Sequence, residues 1–489
     1  MSGPFGSSQW MYASGGFYDH QINQSLRFDD GDAPTLSRAF DAAQTNTKKL
    51  TISVWVKRGN LGIRSTILFA KSGGAGKLSF QTTDKIYFNA FDTGYNGFES
   101  DAVFRDTSSW FHIVAQADSD GQTGANVNRV YVNGVELSNS KTSTFTPDDS
   151  ATMLLRNGVT TYIGDDTDGA YHFDGYLAEM NVIDGSIVAA SEFGETKSGV
   201  WIPKDYTGAH GDNGFYLPFD DSSAIGDDES ANTNDFTVAN GLVASDVVLD
   251  SPTNNWCTLN PLDTGSNNPV FSEGNLAMVA GSAQYVNANG TMAFSSATST
   301  GFYFEQRYSS ARLGHIGIFE TNKPLDNSYD LSGGGNSYLL YPRGSGGGNT
   351  YWTLTEERAN DGITQANTSV SHAEDDIIGV AIKNNKIYFS VNGTYVLSGD
   401  PVNESNPAFT IQEAEYIPTA SFYNTTGGLQ VNFGQDSSFA GAETAQGNAD
   451  GNGKGDFFYA PPSGYLALCS ANLPDPTIDP AEDDTPADH

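Results

Sequence analysis

Short runs in which apolar and polar residues alternate occur along most of the chain. In residues 50–57, Ile52, Val54 and Val56 fall on one face of a predicted strand, and Thr51 and Ser53 fall on the other. Similar runs, separated by turn residues, follow at 65–71, 77–80, 85–89 and 110–115. No stretch keeps a helical period for more than about a dozen residues, so long helices are not predicted. The pattern predicts an all-β protein.

Two Asn-Gly pairs interrupt alternating runs and predict β-hairpins. Asn133-Gly134 lies within residues 129–137 and Asn392-Gly393 within residues 386–397. Both residue types tolerate the positive φ that a two-residue hairpin turn requires. The first hairpin is followed by a predicted half-buried strand with four candidate core residues, Phe173, Leu177, Met180 and Val182.

The chain of 489 residues is too long for a single ordinary core, so two or three domains are expected. Further strand-like runs at 301–307, 315–319, 337–341, 376–382, 416–422 and 429–434 predict a second sandwich. We therefore divide the chain into an N-terminal anchoring segment (1–23), a first sandwich (24–190), a connector (191–262), a second sandwich with its closing strand (263–474) and an acidic tail (475–489).

The chain is strongly acidic, with a net charge of -35 and a pI near 4.2. Such a surface repels phosphate backbones, so nucleic-acid binding is not expected. Solubility in a salty medium is one explanation of the charge, and a surface rich in calcium-capable carboxylates is another. The N-terminal residues lack the basic and apolar regions of a signal peptide, and no apolar run is long enough for membrane insertion.

Several segments carry a family resemblance. SLRF at 25–28, TISVWVK at 51–57, WFHIVA at 110–115, VYVNGVEL at 130–137 and FDGYLAEM at 173–180 resemble a laminin-G-like, concanavalin A-like sandwich. YFE at 303–305, IGVA at 378–381, IYFSVNG at 387–393 and VNFG at 431–434 resemble a SPRY domain. The resemblance implies two tandem concanavalin A-like sandwiches, or jelly rolls.

The connector carries the most specific resemblance. FGE at 193–195, GVWIPK at 199–204, NGFYL at 213–217 and DSPTNN at 250–255, with PPSGYLAL at 461–468, resemble virion proteins of tailed, marine-type bacteriophages. This resemblance implies a non-enzymatic tail-fibre or tail-tip protein that binds host-surface glycans. A head fibre or capsid decoration is the alternative, and a concanavalin-like glycoside hydrolase is a second one. From the same resemblance we expect a location on the virion surface and attachment to other virion proteins through the N-terminal segment. We also expect a homo-oligomer, most plausibly a trimer.

The spacing of the carboxylates along the predicted strands argues against a hydrolase. Retaining glycosidases of this fold need two carboxylates on one strand face, about 5–5.5 Å apart. Glu179 is followed by Asn181 and Ile183, and Glu305 by Arg307, so neither strand supplies the second acid. Calcium is the better candidate, because Asp165, Asp166, Asp168 and Asp174 bring four carboxylates into one turn region.

Two further sets of residues are candidates for function. Aromatic faces stack on sugar rings, so the loop-proximal residues Tyr95, Tyr338, Tyr341, Arg343 and Trp352 are predicted to bind ligand. The two cysteines, Cys257 and Cys469, are expected to be buried thiols rather than a disulfide scaffold. Because they flank the SPRY-like segment, their sulfur atoms are predicted to lie close together, and a bridge would form only after release from the cell.

Overall fold

The computed structural model describes residues 17–91, 97–122, 127–140, 151–167, 171–282, 284–308, 314–321, 323–325, 336–343, 351–358, 362–423 and 427–473. These residues form strands and five short 3₁₀ segments, at Asp30–Asp32, Ala190–Glu192, Ala244–Asp246, Val396–Ser398 and Ser470–Asn472, without any α-helix. Within the same ranges, no helix has the length and apolar character needed to cross a membrane. The predicted all-β class is confirmed.

The first sandwich consists of two antiparallel sheets and a small hairpin. Its strands are β1 (Ser25–Phe28), β2 (Thr35–Ala39), β3 (Lys49–Arg58), β4 (Ser65–Ser72), β5 (Gly74–Phe80), β6 (Ile86–Asn89), β7 (Phe98–Glu99), β8 (Phe111–Asp118), β9 (Asn128–Val132), β10 (Val135–Glu136), β11 (Thr160–Ile163), β12 (Gly175–Asp184), β13 (Gly194–Lys197), β14 (Val200–Pro203), β15 (Phe215–Leu217), β16 (Thr237–Ala239) and β17 (Val247–Val248).

One sheet has the order β10-β9-β8-β3-β12-β1-β17, and β15 also pairs with β12. The facing sheet has the order β16-β2-β11-β4-β5-β6-β7. Side chains that alternate along each strand meet between the sheets, and the four predicted core residues are all completely buried there: Phe173, Leu177, Met180 and Val182. The predicted hairpin joins β9 to β10, where Asn133 and Gly134 adopt φ of 48° and 76°.

The connector is part of the first sandwich rather than a linker. β15 pairs with β12, β16 extends the second sheet through β2, and β17 pairs with β1. The β13–β14 hairpin covers the outer face of the first sheet, where the Trp201 Nε1 donates to His112 Nδ1 at 3.1 Å. The boundary predicted at residue 190 therefore falls too early, because the two sheets are completed by strands that follow it.

The second sandwich also has two sheets. Its strands are β18 (Leu259–Thr264), β19 (Pro269–Ser272), β20 (Ala277–Ala280), β21 (Tyr285–Gly290), β22 (Phe294–Ser295), β23 (Gly301–Tyr308), β24 (Gly314–Glu320), β25 (Ser337–Arg343), β26 (Tyr351–Arg358), β27 (Gly362–Ser371), β28 (Ile377–Lys383), β29 (Lys386–Val391), β30 (Thr394–Tyr395), β31 (Phe409–Thr410), β32 (Glu415–Tyr423), β33 (Leu429–Asn432) and β34 (Tyr465–Ala467).

Its sheets have the orders β18-β21-β32-β24-β25-β26-β27 and β19-β20-β33-β23-β28-β29-β30. The second Asn-Gly pair forms the predicted turn between β29 and β30. The predicted closing strand is β34, which returns from the C-terminal part of the chain and pairs in parallel with β23. Both predicted sandwiches are therefore present.

The outer face of the first sheet packs against the second sandwich through buried charges. The Arg27 guanidinium of β1 contacts the carboxylates of Asp246, Glu273 and Asp436 at 3.0–3.2 Å. Three carboxylates exceed what one guanidinium can neutralise, and burial raises the pKa of Glu273 to about 7. The Tyr176 hydroxyl adds a hydrogen bond to the Gly274 carbonyl at 2.7 Å.

The DSPTNN segment lies in the same interface and surrounds a completely buried lysine. Lys57 Nζ donates to Asp250 Oδ2 at 2.7 Å, to Asn255 Oδ1 at 2.8 Å and to the Trp256 carbonyl at 3.0 Å. Asp250 Oδ1 accepts from the Trp110 indole at 2.8 Å. The motif therefore satisfies the polar groups of a buried lysine, which a generic sandwich does not require.

Candidate functional site

An open cavity lies at the rim of the first sandwich. It has a volume of about 430 Å³, and its walls are formed by Asp30, Gly62, Ile63, Arg64, Thr82, Tyr171 and His172. These residues come from the turn after β1, the β3–β4 connection, the β5–β6 turn and the segment before β12. Loop residues at the end of a sandwich thus combine an aromatic ring, a guanidinium, an imidazole and a carboxylate.

Three of the side chains in this cavity have defined neighbours. The Arg64 guanidinium carbon lies 4.5 Å from the centroid of the Tyr171 ring, a cation–π contact, and Tyr171 is 36% exposed. His172 Nδ1 lies 3.0 Å from Asp165 Oδ1, although the two atoms do not have hydrogen-bond geometry. We name this set of seven wall residues the rim pocket.

A group of carboxylates adjoins the rim pocket. Each of Asp29, Asp30 and Asp174 offers one oxygen, and the three oxygens lie within 4.8 Å of one another. Asp174 is buried and accepts from the Asn60 backbone amide at 2.7 Å. Burial, with the nearby charge of Asp30, raises the pKa of Asp174 well above its usual range. Burial, followed by the charge of Asp29, also raises the pKa of Asp30. Such a group has the hard oxygen donors that suit calcium.

The structure corrects the predicted calcium set. Asp174 belongs to a carboxylate group, but its partners are Asp29 and Asp30. Asp165 faces His172, and Asp166 is buried and lies 3.4 Å from Lys77 Nζ. Asp168 lies outside the described residues. Proximity in sequence therefore did not predict which carboxylates meet, because β1 and β12 are neighbours in one sheet with Phe28 opposite Gly175, which places the DDGD turn beside Asp174.

The predicted ligand-binding aromatics are core residues in this structure. Tyr338 is fully buried, and its hydroxyl oxygen accepts a hydrogen bond from the backbone amide of Gln412 at 2.9 Å. Tyr341 is 5% exposed and stacks on His315, and the Trp352 indole donates to Asp376 Oδ2 at 3.0 Å in the interior. Rings enclosed in this way present no face to a sugar. Arg343 is the last residue of β25, with a side chain outside the described set, and Tyr95 also lies outside it.

The backbone segments that carry the two cysteines are neighbours in space, but both cysteines are free thiols. Trp256 forms a β-bridge with Cys469, and the Cys257 amide donates to the Leu468 carbonyl at 3.1 Å. Neighbouring residues on a strand point to opposite faces, so Cys257 packs in the main core and Cys469 in the outer layer with Trp256. The predicted closeness of the sulfur atoms and the bridge are corrected accordingly. Burial raises the pKa of each thiol to about 11.

Glu305 is a completely buried carboxylate on β23. It accepts from the backbone amides of Phe458 and Tyr459, both at 2.8 Å, from the Tyr303 hydroxyl at 3.0 Å and from Asn432 Nδ2 at 3.2 Å. Burial raises its pKa to about 7 despite these donors. All four partners are structural, so this carboxylate holds the C-terminal return segment against β23.

Comparison with known families identifies the first sandwich. A laminin G-type family model, described as the concanavalin A-like lectin/glucanases superfamily, matches residues 30–191. Residues 30–191 form a laminin G-like, concanavalin A-like domain. A comparison with curated protein sequences gives no match.

Solved structures that match this chain at low identity include three of different origin. Mouse laminin α1 chain domains LG4-5 are 11% identical, with coverage of 82% of this chain and 84% of that one and a TM-score of 0.27. The SAP-like pentraxin of Limulus polyphemus is 14% identical over 35% of this chain and 80% of that one, with a TM-score of 0.26. The SPRY domain of human HERC1 is 11% identical over 35% of this chain and 96% of that one, with a TM-score of 0.24. The SPRY-like character of the second sandwich stays a prediction.

Sequence reasoning missed most of the rim pocket. The DDGD run at 29–32 was a visible signal, because it places acids directly after the first strand of the laminin G-like domain. Arg64, Tyr171 and His172 carry no spacing that distinguishes them from ordinary turn residues. Only the folded loops bring them to one cavity.

Proposed function

We propose that this protein is a non-enzymatic glycan-binding protein and that the rim pocket of its laminin G-like domain contacts the sugar. The observation that carries the proposal is the open cavity of about 430 Å³ with Arg64, Tyr171, His172 and Asp30 in its walls. Small-ligand sites are concave and combine apolar surface with a few fixed polar groups. The described part of the chain presents this combination at the loop end of a sandwich.

Each wall residue has a chemical use in sugar binding. The half-exposed Tyr171 ring offers an apolar face to the C–H groups of a pyranose, and Arg64 restrains that ring. Asp30 accepts hydrogen bonds from hydroxyl groups, and the Arg64 guanidinium donates to them. One shallow site of this kind binds with a Kd of about 0.1–1 mM, or roughly 4–5 kcal/mol.

Calcium is a second part of the proposal. Asp29, Asp30 and Asp174 would hold the ion, because their oxygens converge beside the pocket and a cation there would relieve the mutual repulsion that raises the pKa of Asp30. Asp30 belongs to both the group and the pocket wall, so an ion there would lie next to a bound sugar. We expect glycan binding to weaken when calcium is chelated, and isothermal titration of the metal-free protein with calcium to give saturable heat that Asp30→Asn removes.

The arrangement of acids supports a binding role over hydrolysis. A glycosidase needs two carboxylates flanking the scissile bond. Among the described residues lining the pocket, Asp30 is the single acid. Glu305 is enclosed by four donors, and Glu179 of β12 is bonded to His20 and to the Tyr216 hydroxyl. Neither is available to a substrate.

A glycan array tests the proposal with a matched pair of variants. Tyr171→Ala removes the exposed ring of the pocket, and Tyr351→Ala removes a ring of equal exposure, 36%, from the second sandwich. We expect Tyr171→Ala to weaken binding at least about tenfold, equivalent to about 1.4 kcal/mol, and Tyr351→Ala to leave it unchanged. Equal binding by both variants would contradict the pocket assignment. Release of reducing sugars over time would contradict the non-enzymatic role.

The biological setting that we propose is the surface of a tailed-phage virion, as a tail-fibre or tail-tip component. The support is the resemblance of the connector and closing motifs to virion proteins. A head fibre or capsid decoration is the alternative. A homo-oligomer, with a trimer as the expected form, would raise the effective affinity about 10²–10⁴-fold without new contacts. Antibody labelling of intact particles separates the placements, since label confined to capsid faces would exclude the tail.

A further inference from the structure

The geometry around Lys57 points to a covalent modification of this chain. We propose that Lys57 and Asn255 join in an intramolecular isopeptide bond and that Asp250 acts as the acid–base group. Lys57 lies on the outer face of β3, and Asn255 lies in the DSPTNN segment 198 residues later. The proposal is independent of glycan binding.

The reacting atoms already lie close together. Lys57 Nζ is 2.8 Å from Asn255 Oδ1, and an amide C=O bond is about 1.23 Å long. The Asn255 Cγ therefore lies at most about 4.0 Å from the amine, close to a near-attack distance. Asn255 Nδ2 donates to the Ser108 carbonyl at 2.8 Å, which fixes the amide with its oxygen toward Lys57.

The acid–base group is equally well placed. Asp250 is completely buried, and its Oδ2 accepts from Lys57 Nζ at 2.7 Å. Its Oδ1 is held by the Trp110 indole at 2.8 Å, so the carboxylate cannot rotate freely. The Lys57 ammonium lies 5.8 Å from the centroid of the Tyr176 ring, and Lys57, Asp250 and Tyr176 are all completely buried. An amine that is shielded from water and hydrogen-bonded to a carboxylate can pass its proton to that carboxylate and become a nucleophile.

The reaction balances without an oxidant or cofactor. Asp250 takes a proton from the Lys57 ammonium, and the neutral Nζ attacks the Asn255 Cγ to form a C–N bond. The Asn255 Nδ2 takes up a further proton from Nζ and the proton held by Asp250, the Cγ–Nδ2 bond breaks, and the nitrogen leaves as an ammonium ion. The sum is one ammonium side chain plus one carboxamide giving a secondary amide plus ammonium ion, and the Asp250 carboxylate is regenerated.

The cross-link would tie the first sandwich to the segment that leads into the second. It closes a loop between residues 57 and 255, which restricts the unfolded chain as a long-range disulfide does. Unlike a disulfide, it needs no oxidising compartment, and both cysteines of this chain are free thiols. A protein exposed on a particle surface would gain resistance to unfolding.

Mass spectrometry of the denatured full-length protein tests the bond. We expect a mass lower than the sequence mass by one ammonia, about 17 Da. Because Asn-Gly pairs also lose ammonia when they form succinimides, the loss is then mapped by proteolysis. The expected product joins the peptide carrying Lys57 to the peptide carrying Asn255, with no tryptic cleavage after Lys57.

Two variants provide the matched comparison. Asn255→Ala keeps the Lys57–Asp250 ion pair and should restore the full mass, whereas Asn254→Ala, at the adjacent asparagine, should keep the ammonia loss. Wild-type protein with the unmodified mass, or without the linked peptide, would overturn the proposal. A water loss mapped to Lys57 and Asp250 would overturn the assignment of Asn255. None of these outcomes depends on a variant that fails to fold.

Discussion

The two sandwiches cover the outer face of a central strand in the same way but with charges of opposite sign. In the first, Lys57 of β3 is surrounded by Asp250, Asn255 and the Trp256 carbonyl from the segment that follows the sheets. In the second, Glu305 of β23 accepts two backbone amides from the return segment at 458–459. Each buried charge faces a chain segment that arrives from far along the sequence.

The difference lies in what compensates the charge. Lys57 has a full counter-charge in Asp250, whereas Glu305 has only neutral donors. A carboxylate without a cation is costly to ionise in the interior, and burial raises the pKa of Glu305 to about 7. We call these two contacts the Lys57 clamp and the Glu305 clamp. Before the proposed cross-link forms, the Lys57 clamp is an ion pair whose disruption leaves a bare charge. The Glu305 clamp is a hydrogen-bonded acid whose contribution to stability depends on pH.

The largest effect is expected from Asp250→Ala. In the Asn255→Ala background, where Lys57 stays an ammonium, the variant leaves this charge completely buried without its counter-charge, which costs about 3–5 kcal/mol of unfolding free energy. Urea unfolding followed by tryptophan fluorescence measures it. Asp120→Ala, at a half-exposed carboxylate 3.5 Å from Lys49, is the control and should change stability by less than about 1 kcal/mol. If both variants lowered the unfolding free energy by similar amounts, the buried Lys57–Asp250 pair would contribute no more than an exposed one.

The contribution of the Glu305 clamp to stability should depend on pH. Native Glu305 keeps its proton up to a pKa of about 7, whereas the unfolded chain releases it near the ordinary value of 4.5. The native state binds more protons between these values, so the unfolding free energy should fall as pH rises from about 4.5 to about 7. Glu273, with a pKa also raised to about 7, contributes with the same sign.

Glu305→Gln isolates the contribution of this residue. The variant should flatten the pH dependence partly and cost about 1–3 kcal/mol at pH 8, because the Gln amide nitrogen cannot accept from the donors that it would face. Glu415→Gln, at an exposed position, is the control. A slope unchanged by Glu305→Gln would assign the whole effect to other groups.

The smallest effect compares the two Asn-Gly turns. Gly134 and Gly393 both have φ of 76°, and each backbone packs against an aromatic ring of a covering segment, Trp201 and Tyr459 respectively. Alanine at either position should cost about 1–2 kcal/mol for the left-handed backbone and more for the ring contact. Gly121→Ala, at φ of 72° with open space around it, should show the backbone cost alone. If all three alanine variants lowered the melting temperature equally, the contacts of Gly134 and Gly393 with the aromatic rings would contribute nothing to stability.

The alternating pattern was sufficient to predict the strands, the two hairpins and much of the core. Residues on one face of a strand must be apolar if that face is buried, so Ile52, Val54 and Val56 were identifiable locally. The Asn-Gly turns were equally local, because their backbone conformation depends on the two residues themselves.

The local sequence identified Leu177 and Met180 as core residues, but strict alternation could not predict the β-bulge that turns both inward. Leu177 and Met180 both point inward although they are three residues apart, because β12 bulges at Glu179, whose φ is 44°. The register change is imposed by pairing with β3 on one side and β15 on the other.

The functional features belong to the tertiary structure for the same reason. Asp29 and Asp30 meet Asp174, and Lys57 meets Asp250, across more than a hundred residues of chain. The sequence by itself determined which residues would face a core and where the chain would turn. The tertiary structure alone decided which charges meet in the interior and which loops form the rim pocket. The electrostatic energies of such groups depend on their distance in space and not on their separation along the chain.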